Sequence, residues 1–220
     1  MIRKPLAVAT LCIAALSSSA AIGAAVDSLS SSLPPVGGQY VADHLCYFGG
    51  AFCASDLVFT GFANAASSFG GLGQHVTFDT HMYANVAIPG YSGPVVFSGS
   101  MGLLIFGRTS DSHTGVFAAE MLSLHLTDPF GAIVRESPTL TSSGVTSITT
   151  IPGGFHISSF FDIFPVLSID GEQSWIPEDG GPGGPVHLTL TPTPEPSGLM
   201  LLISGAGVLA IVRRKRRAIR

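Results

Sequence analysis

The chain has 220 residues, 46% of them hydrophobic, and a formal net charge of −4. Its charges are segregated: eight of the ten basic residues sit at the two chain ends, while between residues 5 and 212 only Arg108 and Arg135 stand against fourteen carboxylates, a net of −12. Such a field repels phosphate backbones and excludes nucleic-acid binding, and the length suits one modest domain carrying targeting pieces.

Residues 1–25 read as a secretory signal peptide. Arg3 and Lys4 form the basic region, an apolar run of about a dozen residues follows, and small residues at 18–20 and 23–25 offer cleavage positions between Ala20 and Ala25. The apolar run is short for a membrane span. Cys12 leaves with this segment, and no lipobox cysteine follows it. The secretion translocon and signal peptidase are the partners this end implies.

Residues 26–39, with "DSLSSSLPPVGGQ" at 27–39, read as a flexible lead-in. Residues 40–191 read as one exported domain. Its first feature is "LCYFGGAFC", which places Cys46 and Cys53 around a glycine-rich turn. An oxidising compartment favours a disulfide there. Free thiols and a metal site stay open as alternatives, although His44 and two cysteines make no recognised metal spacing.

After this come short apolar runs with period-two alternation, bounded by Gly, Pro, Ser and Asp. Val76, Phe78, Thr80 and Met82 share one face of a strand; so do Leu122, Leu124 and Leu126, then Phe155, Ile157, Phe161 and Ile163, then Val186, Leu188 and Leu190. A weak helical signal exists only at "FANAASSF", residues 62–69. The pattern predicts an all-β domain, an antiparallel β-sandwich of jelly-roll-like form.

No Gly-x-Ser-x-Gly elbow, His-Glu-x-x-His, phosphate loop or dinucleotide fingerprint occurs, so no catalytic residue and no resident cofactor is assigned. Asp79 with His81, and Asp111 with His113, are pairs that would share a strand face, but no metal site is assigned to them. Calcium would draw oxygen ligands from Asp111, Asp128, Asp162, Asp170 and Asp179, without an EF-hand or a nonapeptide repeat to organise them. Glu120 and Glu136 are the carboxylates a glycan hydrolase would use, because that chemistry needs a facing pair. The threonines of "TLTSSGVTSITT" show no sustained repeat of the kind an ice-binding array needs.

"LSIDGEQSW" supplies Ser168, Asp170, Gly171, Ser174 and Trp175. It resembles the Asp-box, a Ser-x-Asp-x-Gly-x-x-Trp hairpin of secreted β proteins, including sialidases. The resemblance implies that the aspartate caps turn amides and the tryptophan packs beneath. Glu172 departs from the pattern, which has glycine there. A structural hairpin is the expectation, with a carbohydrate or calcium contact as the alternative. The block from Arg135 to Trp175 also resembles uncharacterised exported bacterial β domains.

The chain ends with residues 192–220, "PTPEPSGLMLLISGAGVLAIVRRKRRAIR". Prolines at 192, 194 and 196 prevent an earlier helix start. Residues 197–212 are uncharged and mostly apolar, and as a helix would span roughly 24 Å, short against a core of about 30 Å. Arg213, Arg214, Lys215, Arg216 and Arg217 would hold the far end in the cytoplasm. Motif Pro194-Glu195-Pro196-Ser197, short span and basic tail 213–220, in that order behind a signal peptide, resemble the PEP-CTERM sorting signal of Gram-negative bacteria. The resemblance implies that an exosortase, a membrane cysteine transpeptidase, reads Pro194, Glu195 and Pro196 as substrate, and that the protein passes through the inner membrane to the cell envelope or extracellular space, where exopolysaccharide is an expected partner. The functional expectation is a non-enzymatic surface or biofilm-matrix component. The alternative is an extracellular glycan-binding or glycan-hydrolysing protein.

Overall fold

The computed structural model describes residues 24–179 and 185–194. The described residues form twelve β-strands and no helix: β1 (Val26–Ser28), β2 (Gly38–Tyr47), β3 (Phe52–Gly70), β4 (Gly73–Ile88), β5 (Tyr91–Phe106), β6 (Gly115–Thr127), β7 (Ile133–Glu136), β8 (Ser142–Ile151), β9 (Gly154–Ile163), β10 (Pro165–Ser168), β11 (Ile176–Pro177) and β12 (Val186–Pro192). Every pairing is antiparallel. The expected transmembrane helix, Glu195, Pro196, Ser197 and the basic tail lie outside the described residues, as does the signal peptide up to residue 23.

The ladders do not divide into the two facing sheets of a sandwich. They run β2–β3–β4–β5–β6–β8–β9–β12 and return to β2, so eight strands close a ring. Closure removes free edges. It depends on β6 and β9 each changing partner along their length. β6 pairs with β8 over Gly115–Met121 and with β7 over His125–Thr127. β9 pairs with β1 over Phe155–Ile157 and with β12 over Phe160–Ile163. Off the fork in β6, the strands β7, β10 and β11 make a small side flap.

Alternation decides what fills the ring. On β4, Val76, Phe78, Thr80, Met82, Ala84 and Val86 are buried, while their neighbours from His75 to Asn85 face out. Tyr40, Phe59, Phe97 and Phe161 join them in the interior, so the ring encloses packed side chains. Some polar atoms inside are paired, whereas the Tyr47 hydroxyl and Gln74 Nε2 are buried without a partner. The Thr146 and Ser159 hydroxyls lie 2.9 Å apart, and the Thr80 hydroxyl donates to the Thr60 carbonyl at 3.1 Å. Tyr40, hydrogen-bonded to Ser159, is pushed up to about 12 by burial.

Three sequence expectations change here. On β6 the inward phase slips: Gly102 faces Ser123 but Leu103 faces Met121, a bulge that leaves Leu122 out of the ladder. Met121, Leu124 and Leu126 are therefore buried and Leu122 is exposed, because one extra residue flips every side chain to the other face. Residues 62–69 are not helical; they continue β3 along β4, bent by left-handed residues at Gly61 (φ 69°) and Asn64 (φ 50°) and by register shifts on either side of Ala63.

The third concerns residues 26–39, which are packed rather than loose. Val26 lies opposite Ile157 in β1, and Ser31, Leu33, Pro34 and Pro35 are buried, with a cis Leu33–Pro34 bond. Their anchor is Arg108, which is fully buried. Its guanidinium donates to Gln74 Oε1, to the Ser31 carbonyl (2.9 Å) and hydroxyl (3.0 Å), and to the Asp111 carbonyl (3.0 Å), and its Nε to the His113 carbonyl (3.3 Å). One cation thus ties the entering chain to β4 and to the β5–β6 loop.

The barrel has two unlike ends. The Arg108 end gathers the β3–β4, β5–β6 and β8–β9 turns, together with the 29–37 segment and the point where the described chain leaves. There Thr193 donates to the Gly37 carbonyl through its backbone (2.8 Å) and its hydroxyl (3.0 Å). The opposite end gathers the β2–β3, β4–β5 and β6–β7 turns.

Candidate functional site

The second end is open. A cavity of about 560 Å³ lies between its turns. Its floor is apolar and buried, made by Val86, Val95 and Phe97. Its rim is apolar and exposed: Phe48 follows β2, Ile88 and Tyr91 flank the β4–β5 turn, Phe130 lies on the β6–β7 loop, and Ile169 follows β10. Asp128 is the only ionisable carboxylate in the lining. Its Oδ1 accepts from the backbone N–H of Phe130 (2.9 Å) and Ala132 (2.8 Å), which holds the loop in a tight turn. Volume and lining fall within the range of sites that hold small molecules, and barrel mouths are a common location for them. An apolar rim of this kind is the feature of a soluble surface that needs a reason.

One wall is covalently fixed. Cys46 and Cys53 face each other across β2 and β3 and are joined by a disulfide, with Cα atoms 4.2 Å apart. The enclosed turn carries Phe48, Ala51 and Phe52. It is also held from outside: the Gly50 N–H donates to Asp179 at 2.8 Å, and the Asp179 N–H donates to the Cys46 carbonyl at 2.7 Å. Tyr47 packs edge-on against Phe52. Burial, with Glu178 and Asp179 nearby, pushes its hydroxyl far above the ordinary tyrosine range.

The turn after β10 has the geometry of a capped hairpin. Asp170 Oδ1 accepts from the Ser168 hydroxyl (2.8 Å) and from the Ser174 N–H (3.0 Å), and its Oδ2 accepts from the Ser174 hydroxyl. The Ser168 hydroxyl accepts from the Glu172 N–H at 2.9 Å. These donors, the Ser174 hydroxyl foremost, hold the Asp170 carboxyl down at about 2. Gly171 and Glu172 both have φ of 69°, so Glu172 occupies a left-handed position that glycine adopts without strain. Trp175 is half-buried. The Arg135 guanidinium lies 3.6 Å over its ring, a stacked cation covering one face.

Glu136 ends β7, beside the fork where β6 leaves β7 for β8, and Glu120 lies on the β8-paired part of β6. Burial pushes the Glu136 carboxyl up to about 7, against a hydrogen bond from Ser142, and the charge of Glu120 adds to the rise. Its Oε2 is buried without a hydrogen-bond partner. The cavity lining does not include either glutamate. A raised carboxyl favours the neutral form in the fold. Its contribution to stability is full below the ordinary value of 4.5 and is lost as pH rises through about 7. Glu136→Gln, neutral at every pH, should therefore gain on the wild type as pH rises from about 4.5 to about 7 and level off above that, as read from urea midpoints. A gap between the two proteins that stays constant with pH would contradict this account of Glu136.

Three outward histidines are individually paired. His81 meets Ser98 (2.8 Å), His156 meets Asp27 (2.7 Å) and His187 meets Asp162 (2.6 Å). Asp79 accepts from Asn64 at 2.6 Å instead of joining His81. Asp111 and His113 lie in a turn that serves Arg108 and not on a strand. Among the described residues no three His, Cys, Asp or Glu side chains gather as a metal site. Of the expected sorting motif only Pro194 is described, exposed at the point where the chain leaves the Arg108 end.

Sequence reasoning missed the cavity and the Arg108 anchor. The signal for the first was apolar residues placed at turn tips, in "YFGGAF", "IPGY" and "DPFG", where polar residues are usual. For the second it was a lone arginine in a domain otherwise nearly free of cations.

Among described residues, then, the chain defines a closed antiparallel barrel with an apolar mouth. No protein-family model matches it, and no curated protein or solved structure shows significant similarity to it.

Proposed function

We propose that this protein is exported, passes through the inner membrane, and is sorted to the cell envelope or extracellular matrix by its PEP-CTERM-like tail, where the barrel acts as a non-enzymatic surface or matrix component. The observation that carries this reading is where the signals join the fold. β1 starts at Val26, one residue beyond the expected cleavage window, and β12 ends at Pro192, two residues before the Pro-Glu-Pro triplet. The C-terminal junction lies at the Arg108 end, opposite the mouth, while β1 runs toward that end from Val26, opposite Ile157 on the barrel wall. Removal of either signal therefore spares every ladder of the barrel, and a chain held by its tail carries the mouth outward.

The test replaces Pro194-Glu195-Pro196 with alanines in the native host. The expected product keeps its tail and stays in the inner-membrane fraction, while wild-type protein reaches the envelope or medium at a lower mass. Identical mass and distribution for the two chains would refute the reading.

The buried, unpartnered Glu136 Oε2, on whose carboxyl the charge of Glu120 acts, favours a second reading, glycan hydrolysis with Glu136 as the protonated acid. Release of reducing sugar from host exopolysaccharide that disappears in Glu136→Gln would move the assignment there.

A further inference from the structure

We propose that the barrel mouth is a binding site for an uncharged, hydrocarbon-rich small molecule, a neutral lipid tail or an arene, which enters between the β2–β3, β4–β5 and β6–β7 turns. The inference is independent of the sorting reading, which assigns no ligand.

Three observations carry it. The first is shape: the ring is filled with side chains along its length but leaves about 560 Å³ open at this one end, and a concave site over a closed floor accepts a small molecule better than a flat protein surface. The second is chemistry. The floor of Val86, Val95 and Phe97 and the rim of Tyr91 and Phe130 offer dispersion and apolar contact and almost no hydrogen-bonding capacity. The Tyr91 hydroxyl is already turned to the Pro94 carbonyl at 3.1 Å. A sugar, whose hydroxyls each need a partner, would be left unsatisfied there.

The third observation is charge. Asp128 is the one charged side chain in the lining, and its Oδ1 is occupied by two backbone N–H groups. Asp179 lies just behind the β2–β3 turn. Both carboxylates repel a fatty-acid anion at the depth where its head would sit. At an effective dielectric constant of about 20, a like charge lining the same cavity disfavours binding on the order of tenfold. The site therefore selects a neutral head over an anionic one.

The experiment uses mature protein purified from its host and the neutral fluorophore N-phenyl-1-naphthylamine, which brightens in apolar surroundings. Saturable one-to-one binding is expected, displaced by 1-decanol and at least about tenfold less well by decanoate at pH 8. Ala132→Trp, which fills the cavity from its wall, should abolish the signal. Ala51→Trp, at an exposed turn position where bulk does not disturb the core, should weaken it and guards against misfolding of the first variant. Asp128→Asn keeps the turn-capping oxygen while removing the charge, and should bring decanoate close to decanol.

Absence of saturable binding would overturn the proposal. So would equal displacement by decanol and decanoate in the wild type, or unchanged binding in both tryptophan variants. Fluorescence that rises only as the protein self-associates, or only when phosphatidylethanolamine vesicles are added, would overturn it in favour of an apolar docking rim.

Discussion

Arg108→Ala should destabilise the barrel by about 3–5 kcal/mol, the range for removing one member of a buried charged network, against a total stability of roughly 5–15 kcal/mol for a domain of this kind. The loss has two parts. Gln74 and Ser31 lose a donor that their buried positions cannot replace with water, and the carbonyls of Asp111 and His113 lose one as well. The entering segment also loses its tie, so β1 and the buried Leu33–Pro35 stretch come away from the Arg108 end.

Arg108→Lys should recover little, because one ammonium cannot reach five acceptors on four residues from a single position. Pairing Arg108→Met with Gln74→Leu should recover part of the loss by removing the orphaned partner as well. Urea midpoints across these variants, with proteolysis at residues 29–37 as a second readout, decide the matter. A midpoint for Arg108→Ala within about 1 kcal/mol of wild type would contradict the role given to this residue.

Removal of the disulfide should have the next largest effect. The bond joins residues seven apart, and the loop-entropy account gives about 2–3 kcal/mol for so small a ring. Cys46→Ser with Cys53→Ser should unfold at correspondingly lower urea. It should also loosen the turn bearing Phe48, Ala51 and Phe52, and so weaken naphthylamine binding more than its stability loss alone requires. Alkylation of native exported protein followed by intact-mass measurement gives the direct check. Two freely alkylated thiols would show that the pair is reduced in the compartment where it works.

Local features of the fold were legible in sequence where one face of a strand is buried along its whole length. β4 and β12 show this: every inward residue follows period two. Legibility failed where the chain departs from regular pairing. Leu122 has the spacing of a core residue, and only the bulge opposite Gly102 turns it out. Residues 62–69 are small enough to suit a helix, and only their ladder with β4 and the left-handed turns at Gly61 and Asn64 make them strand. Closure was hidden for a related reason. Whether eight strands form two sheets or one ring is decided by β6 and β9 changing partners midway, a long-range choice that alternation does not encode. The candidate cavity was hidden because its lining comes from four separate turns, each of which reads alone as a stray aromatic or aliphatic residue.

The proposed route delivers a self-contained barrel outward by signals that are removed at both ends without cutting a strand. Terminal-peptide mass spectrometry on the mature protein from its native host, with and without exosortase, tests this most directly. The account predicts an N-terminus between residues 21 and 26 in both strains, and a C-terminus close to Pro194-Glu195-Pro196 that appears only when exosortase is present. An intact Arg220 terminus on surface protein from both strains would contradict it.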